Sequence, residues 1–303
     1  MLRTLLLYLS ERKTPQRLLT SLPAVRKLHE RFVAGESIAE ALAAVRRLKS
    51  DGFDFTLDHL GESVKDATAA EAATQAYLEI LDRLKSEGLR PNISIKLTSL
   101  GLAFDEALAR RNLAMLADRA RQHEGFVRID MESSAYTEST LRVFRDLDAP
   151  RDRVGVVIQA YLYRSEKDVK DLTAMGAWVR LTKGAYQEPP EIAFPKKVQV
   201  DANYVKLMTT LLATSGHHAI ATHDPQMIAA TQAYAREKGV GPDRFEFQML
   251  YGVRRRLQRE LLQQGYRVRI YVPYGRQWYP YFMRRLAERP ANVLFLLRNL
   301  ARA

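Results

Sequence analysis

The sequence predicts a closed (β/α)8 barrel, and three observations carry that reading. From Phe53 onward, short strand-like runs alternate with longer runs of helical period. There are eight such strands in about 240 residues, the size of a closed parallel barrel. No glycine-rich fingerprint follows the first strand, which argues against an open doubly wound sheet.

Residues 1–52 read as an N-terminal helical segment packed on the barrel. Leu18, Leu22, Val25, Leu28 and Phe32 recur at helical spacing, and a second helix from near Glu36 carries Ile38, Leu42, Val45 and Leu48. Gly35 and the Asp51-Gly52 pair punctuate them. Residues 53–303 form the barrel. Its strands are expected at Phe53–Asp58, Ile93–Leu97, Phe126–Met131, Val154–Tyr161, Ala177–Lys183, His218–Thr222, Phe245–Leu250 and Val268–Val272. The intervening helices are expected at Ala67–Glu87, Asp105–Arg121, Thr137–Leu147, Ser165–Met175, Asp201–Ala213, Pro225–Lys238 and Val253–Gln264. Tyr279–Glu288 follows the eighth strand with Pro280 in its first turn, where a missing N–H does no harm. Asn292–Leu300 supplies an extra C-terminal helix. One long irregular stretch, Gln187–Val200, contains Pro189, Pro190 and Pro195 and has the length of a functional lid.

Composition narrows the field without choosing a reaction. With 303 residues, 47% of them hydrophobic, the chain has enough apolar material for one large core. The net charge of +12 allows anionic partners. Its basic residues are spread out, with one modest cluster at Arg254, Arg255 and Arg256, and no nucleic-acid-binding signature accompanies them. Cysteine is absent, which removes disulfides, thiol nucleophiles and cysteine-ligated metals, and fits a reducing compartment. The apolar run at Leu5–Leu9 is too short to span a bilayer.

In such a barrel, chemistry belongs at the C-terminal ends of the strands. Those ends are polar: Asp58-His59, Lys96, Asp130 and Glu132, Gln159 and Tyr161, Arg180 and Lys183 with Tyr186, Thr222-His223-Asp224, Gln248, and Tyr271. The helix after the last strand places Tyr281, Arg284, Arg285 and Glu288 on neighbouring parts of its surface. Two forked cations, a phenol and a carboxylate suit a carboxylate or phosphate ligand. His217 and His218 are adjacent in a strand and point to opposite faces, so they do not chelate one metal together. No HExxH motif or Gly-x-Ser-x-Gly elbow is present, and no metal is expected. Three readings stay open: an enzyme with an anionic ligand, a Schiff-base aldolase or lyase using Lys96 or Lys183, and a basic scaffold for anionic membranes or nucleic acid.

The motifs SIKLTSLG (94–101), VRIDMESS (127–134), VIQAYLYRSEKD (157–168), VRLTKGAY (179–186), ATHDP (221–225), FEFQMLYG (245–252) and YVPYGRQWYPYFMRRLAERPAN (271–292) occur in this order. On them the chain resembles the monofunctional bacterial proline dehydrogenases, relatives of a domain in the bifunctional proline-utilisation flavoproteins. The resemblance covers nearly the whole chain. It implies a distorted (β/α)8 barrel that binds FAD non-covalently and oxidises L-proline to Δ1-pyrroline-5-carboxylate. Hydride passes from C5 of proline to N5 of the flavin, and the electrons pass to a membrane quinone. It assigns the proline carboxylate to Arg284, Arg285 and Lys96. Tyr271, Tyr281 and Leu250 wall the ring, and Glu288 pairs with Arg284. Asp130 and Tyr186 match catalytic positions. The FAD contacts match Met131, Gln159, Arg180, Lys183, Gly184, Ala185, Thr222, His223 and Gln248. The chain departs from the bifunctional members at Gln187, where they carry tryptophan. A cytoplasmic protein in peripheral contact with anionic lipid is implied, with no nucleic-acid partner.

Overall fold

The computed structural model describes residues 30–61, 64–279, 281 and 283. In chain order the elements are α1 (Ile38–Ser50), β1 (Asp54–His59), α2 (Ala67–Ser86), β2 (Asn92–Ile95), α3 (Glu106–Gln122), β3 (Phe126–Ile129), α4 (Ser134–Asp146) and β4 (Val154–Gln159). There follow α5 (Ser165–Ala174), β5 (Val179–Thr182), α6 (Lys197–Leu212), β6 (His218–Ala221), α7 (Pro225–Lys238), β7 (Phe245–Leu250), α8 (Arg255–Gln263) and β8 (Val268–Tyr274). The eight strands pair in sequence order into a closed parallel barrel. Closure joins β1 to β8 in register from Asp54 opposite Arg269 to His59 opposite Tyr274.

Alternation along the strands separates two environments. Outward residues such as Leu57, Ile93, Ile129, Val156, Leu181, Ile220, Phe247 and Ile270 are fully buried against the helices. These branched aliphatic and aromatic side chains fill the layer between sheet and helix ring, where most of the apolar burial lies. The helices begin where polar caps predict. Asp66, Asp105 and Asp224 accept from backbone N–H groups in the first turns of α2, α3 and α7. Ser37 and Glu40 form a reciprocal capping box on α1. That helix buries Ala41, Leu42, Ala44 and Val45, and it packs beside β1 and β8. Ala34 N–H donates to Pro273 O (2.8 Å) and Gly275 N–H to Gly35 O (3.0 Å), pinning the segment before α1 to the end of β8.

Three expectations shift. The second strand ends at Ile95 rather than Leu97, because Leu97–Leu100 turns into a 3₁₀ helix closed by Gly101 at φ 111°. The helix expected from Asp201 starts at Lys197, where the Gln199 side chain accepts from Lys196 N–H (3.2 Å). The irregular stretch is therefore shorter than 187–200. It is also pinned: Leu162 bridges Ala193, and Tyr163 stacks edge-on against Phe194 with 4.7 Å between ring centres. The apolar run at Leu5–Leu9, the helix around Leu18–Leu28 and the helix Asn292–Leu300 lie outside the described residues.

His218 faces the helix layer and is 1% exposed. Its Nδ1 accepts from Val179 N–H (3.2 Å), and its Nε2 meets Thr214 Oγ1 at 2.8 Å. Burial, with repulsion from Arg128, lowers the imidazole to about 3. Above pH 6.5 the group is neutral folded and unfolded. Below that, only the unfolded chain takes up the proton, so stability is lost as pH falls from 6.5 toward 3. Between pH 6.5 and 5 this one group is expected to remove about 1.5 kcal/mol. Urea unfolding of wild type and His218→Gln across that range checks it. Equal pH slopes for the two proteins would refute the assignment.

Candidate active site

The inward faces of the strands are polar. Thr56, Asp58, Ser94, Arg128, Arg180, Glu246 and Gln248 are all buried, and they alternate with the apolar outward residues. A buried charge must be paired or hydrogen-bonded, so each of these groups constrains its neighbours.

At the C-terminal ends the pairings form one connected array. Lys96 follows β2 and places Nζ 3.3 Å from both oxygens of Asp58, which ends β1 and is 1% exposed. The same ammonium lies 3.7 Å from Asp130 Oδ2, just after β3, and 3.5 Å from the Tyr271 hydroxyl on β8. Asp130 also accepts from Arg180 Nη1 (2.7 Å) and from Tyr271 OH (2.7 Å). Arg180 on β5 donates further to Ser94 Oγ (3.0 Å), and its guanidinium lies over the Tyr271 ring at 5.5 Å. Burial and the carboxylates of Asp130 and Asp58 hold the Tyr271 phenol well above its ordinary value, so it stays a donor to Asp130. Lys96, Asp130, Arg180 and Tyr271 therefore form one linked group centred on Asp130. Asp58 was read in the sequence as a strand end without a role. Tyr77 OH, on α2, supports it at 3.3 Å.

A second cluster sits beyond β5 and β6. Lys183 pairs with Asp201 on α6 and with Asp224 Oδ2 (2.7 Å) at the start of α7. Burial raises Asp224, but hydrogen bonds from Lys183 and the Gln226 N–H outweigh it and bring the carboxyl down to about 2. Asp201 is lowered in the same way. Lys183 is engaged by two carboxylates and Lys96 by Asp58 and Asp130, so neither nitrogen stands clear to attack a carbonyl. This geometry disfavours the aldolase reading. Asp201 carried no periodic signal in the sequence. Asp224 did, as the acidic residue before the helix-starting Pro225.

The remaining candidates surround these two clusters. Gln159 donates to Glu132 O (2.9 Å), and its Oε1 lies 3.4 Å from Ala185 N, tying β4 to the loop after β5. Gly184 has φ 121°, and a Cβ there would run into the Tyr161 ring. The loop after β5 thus presents bare backbone beside Lys183 and Ala185. His223 Nε2 accepts from Leu250 N–H (2.8 Å), joining the ends of β6 and β7. Thr222 Oγ1 accepts from Asp224 N–H (3.0 Å), and Gln248 O accepts from Thr222 N–H (3.2 Å). Met131 is buried after β3, and Tyr186 is half-buried on the β5–α6 loop. Tyr281 is 7% exposed in the helical turn after β8. Arg284, Arg285 and Glu288 lie outside the described residues, and with them most of the expected helix Tyr279–Glu288.

Comparison with known proteins points to one family. A family model described as proline dehydrogenase matches residues 41–298. The chain is 41% identical over 272 residues to Proline dehydrogenase 2 of Bacillus subtilis strain 168, covering 90% of each. It is 41% identical over 278 residues to the proline dehydrogenase of Deinococcus radiodurans, again covering 90% of each. Among solved structures it is similar to proline utilization A (PutA) from Bdellovibrio bacteriovorus inactivated by N-propargylglycine. There the TM-score is 0.81 and the identity 29%, over 86% of this chain and 32% of that one. The chain thus spans about a third of the length of that neighbour.

Proposed function

Since the chain belongs to the proline dehydrogenase family, we propose that it oxidises L-proline to Δ1-pyrroline-5-carboxylate, with FAD as cofactor and a membrane quinone as acceptor. The observation that carries this reading is the largely buried array of Lys96, Asp130, Arg180 and Tyr271 at the strand ends, linked by direct ion pairs and hydrogen bonds.

The residues present fit the cofactor. Lys183 and Arg180 supply positive charge suited to a pyrophosphate or a reduced ring, and Gly184 leaves its backbone uncovered beside them. Gln159, Ala185, Thr222, His223, Gln248 and Met131 complete the ring of groups that would hold it. FAD, when bound, supplies the two-electron acceptor for the hydride leaving proline C5.

The chain's own residues do the rest. Lys96, Arg284 and Arg285 bind the substrate carboxylate by charge-assisted hydrogen bonds. Tyr271, Tyr281 and Leu250 hold the ring in position, the contribution that converts binding into rate. Proline arrives mostly as the ammonium form, and hydride leaves readily only beside a neutral nitrogen. The cations around Lys96 favour loss of that proton, with Asp130 and Tyr186 at the catalytic positions. Glu288 pairs with Arg284. Among the described residues no helix is long and apolar enough to cross a membrane. Access to a quinone is then assigned to peripheral contact between this basic chain, in the cytoplasm, and anionic lipid.

The purified protein is expected to show flavin bands that bleach on anaerobic addition of L-proline. A colourless protein that stays inactive with added FAD would overturn the reading. Arg284→Ala and Arg285→Ala are each expected to raise KM for proline by about tenfold or more, the effect of losing about 1.4 kcal/mol. Unchanged KM in both variants would remove the carboxylate assignment.

A further inference from the structure

The opposite, N-terminal end of the barrel bore holds a cavity of about 250 Å³. It lies below the Lys96–Asp130–Tyr271 array and opens between Lys49, Arg90 and Arg267. Six guanidinium or ammonium groups line it, against the two carboxylates Asp54 and Glu246. Those carboxylates are already engaged. Glu246 accepts from Arg269 Nε and Nη2 at 2.7 and 2.9 Å, and Asp54 pairs with Lys49 at 3.0 Å.

Arg128 is the group left over. It is 3% exposed, it lines the cavity, and no carboxylate among the described residues lies within ion-pair distance. Its Nη1 donates to the carbonyls of Trp178 and Val156, while its Nε has no partner. Arginine does not shed its proton in a protein, so the uncompensated charge persists. Its placement is built in. Gly155 on β4 faces Arg128 Nη1 so closely that a Cβ would collide with it, and Phe126 lies 4.7 Å from the guanidinium. Of six buried polar atoms left without partners in the described residues, four belong to side chains lining this one cavity. They are Arg128 Nε, Arg180 Nε, His217 Nε2 and Gln248 Oε1. Three of those four are nitrogens, and His217 Nε2 stands 3.6 Å from Glu246 Oε2, within ion-pair distance but too far for a hydrogen bond.

We propose that this cavity is a binding site for a small inorganic oxyanion of the phosphate or sulfate class, held by Arg128 and His217. Such an ion supplies several acceptor oxygens and the negative charge that Arg128 lacks. The cavity also has room for accompanying water, at roughly 30 Å³ per molecule. The cavity shares Arg180 and Gln248 with the upper site, but the two groups assigned to the ion, Arg128 and His217, have no part in the proposed reaction.

The test is thermal unfolding of the holoenzyme in phosphate and in chloride at matched ionic strength, for wild type and Arg128→Gln. Phosphate is expected to raise the wild-type Tm by about 3 °C over chloride, and to leave the variant within about 1 °C. No difference between the salts in wild type, or an equal rise in both proteins, would overturn the site. Should Arg128→Gln fail to fold, crystals of wild type grown with selenate give the second reading. Anomalous density beside Arg128 and His217 is expected, and water alone in the cavity refutes the proposal.

Discussion

Replacing Lys96 with methionine is expected to lower kcat/KM for proline by at least about 100-fold, equivalent to about 2.7 kcal/mol of lost transition-state binding. The same change is expected to destabilise the fold by about 3 kcal/mol. Both effects have one cause. The ammonium lies 3.3 Å from both oxygens of Asp58 and 3.7 Å from Asp130. Asp130 keeps Arg180 and Tyr271 when Lys96 is gone. Asp58, 1% exposed, loses the ammonium that stands 3.3 Å from both its oxygens, so its buried carboxylate is less well compensated. Losing the ammonium disfavours the Asp58 carboxylate, a group that in an unfolded chain ionises at about 3.9. The stability gap to wild type should widen as pH rises through and beyond that value. Urea unfolding at several pH values reads this directly. Adding Asp58→Asn to Lys96→Met should recover most of the stability and none of the activity. A gap that is flat with pH, or a double variant no more stable than the single one, would refute the pairing.

Replacing Arg180 with methionine is expected to cut the flavin retained on purification to less than about half, while the fold persists. Arg180 joins three strands, through Asp130, Ser94 and the Tyr271 ring. Its loss removes a guanidinium that contacts both Asp130 and the Tyr271 ring, and that is itself a proposed flavin contact. Asp130 retains Lys96 and Tyr271, so the carboxylate is not left bare. The readout is the ratio of flavin to protein absorbance, with circular dichroism and Tm as controls for folding. A full flavin complement in a folded variant would show that Arg180 serves the barrel interior alone.

The barrel was legible because a parallel strand packed under helices is written as a short apolar run, as in VGVVIQ of β4 and FEFQML of β7. Its limits were less so. Lys96-Leu97 continues the apolar rhythm of β2, yet the ladder ends at Ile95, since hydrogen bonding to β3 stops there. The start of α6 hid behind Pro195, and its marker, the Gln199 side chain turned back to Lys196, is not a strong cap signal. The identities at the mouth were readable because strand ends of a barrel converge. Their pairings were not. Lys96 meets Asp58 across 38 residues, and Lys183 meets Asp224 across 41, separations that no helical or strand period generates. The polar floor of the bore was also hidden. Arg128 and Glu246 alternate with apolar residues just as solvent-facing residues would, and only closure of the sheet turns them inward.

Closure of the barrel by its first and last strands has a consequence for biosynthesis. Arg269 Nη1 donates to Phe55 O across 214 residues. At about 5–20 residues per second, roughly 10–40 s separate the emergence of β1 from that of its partner. Throughout that interval the β1 edge, with its unpaired amides and carbonyls, faces the ribosome's surroundings. Asp58 and Lys96 have been made by then, but Tyr271 and the residues after it have not. The nascent chain therefore lacks part of the residue set proposed for proline and flavin, and on that proposal cofactor would load only after synthesis. Slow non-local pairing of this kind makes the unfinished chain a client for holding chaperones.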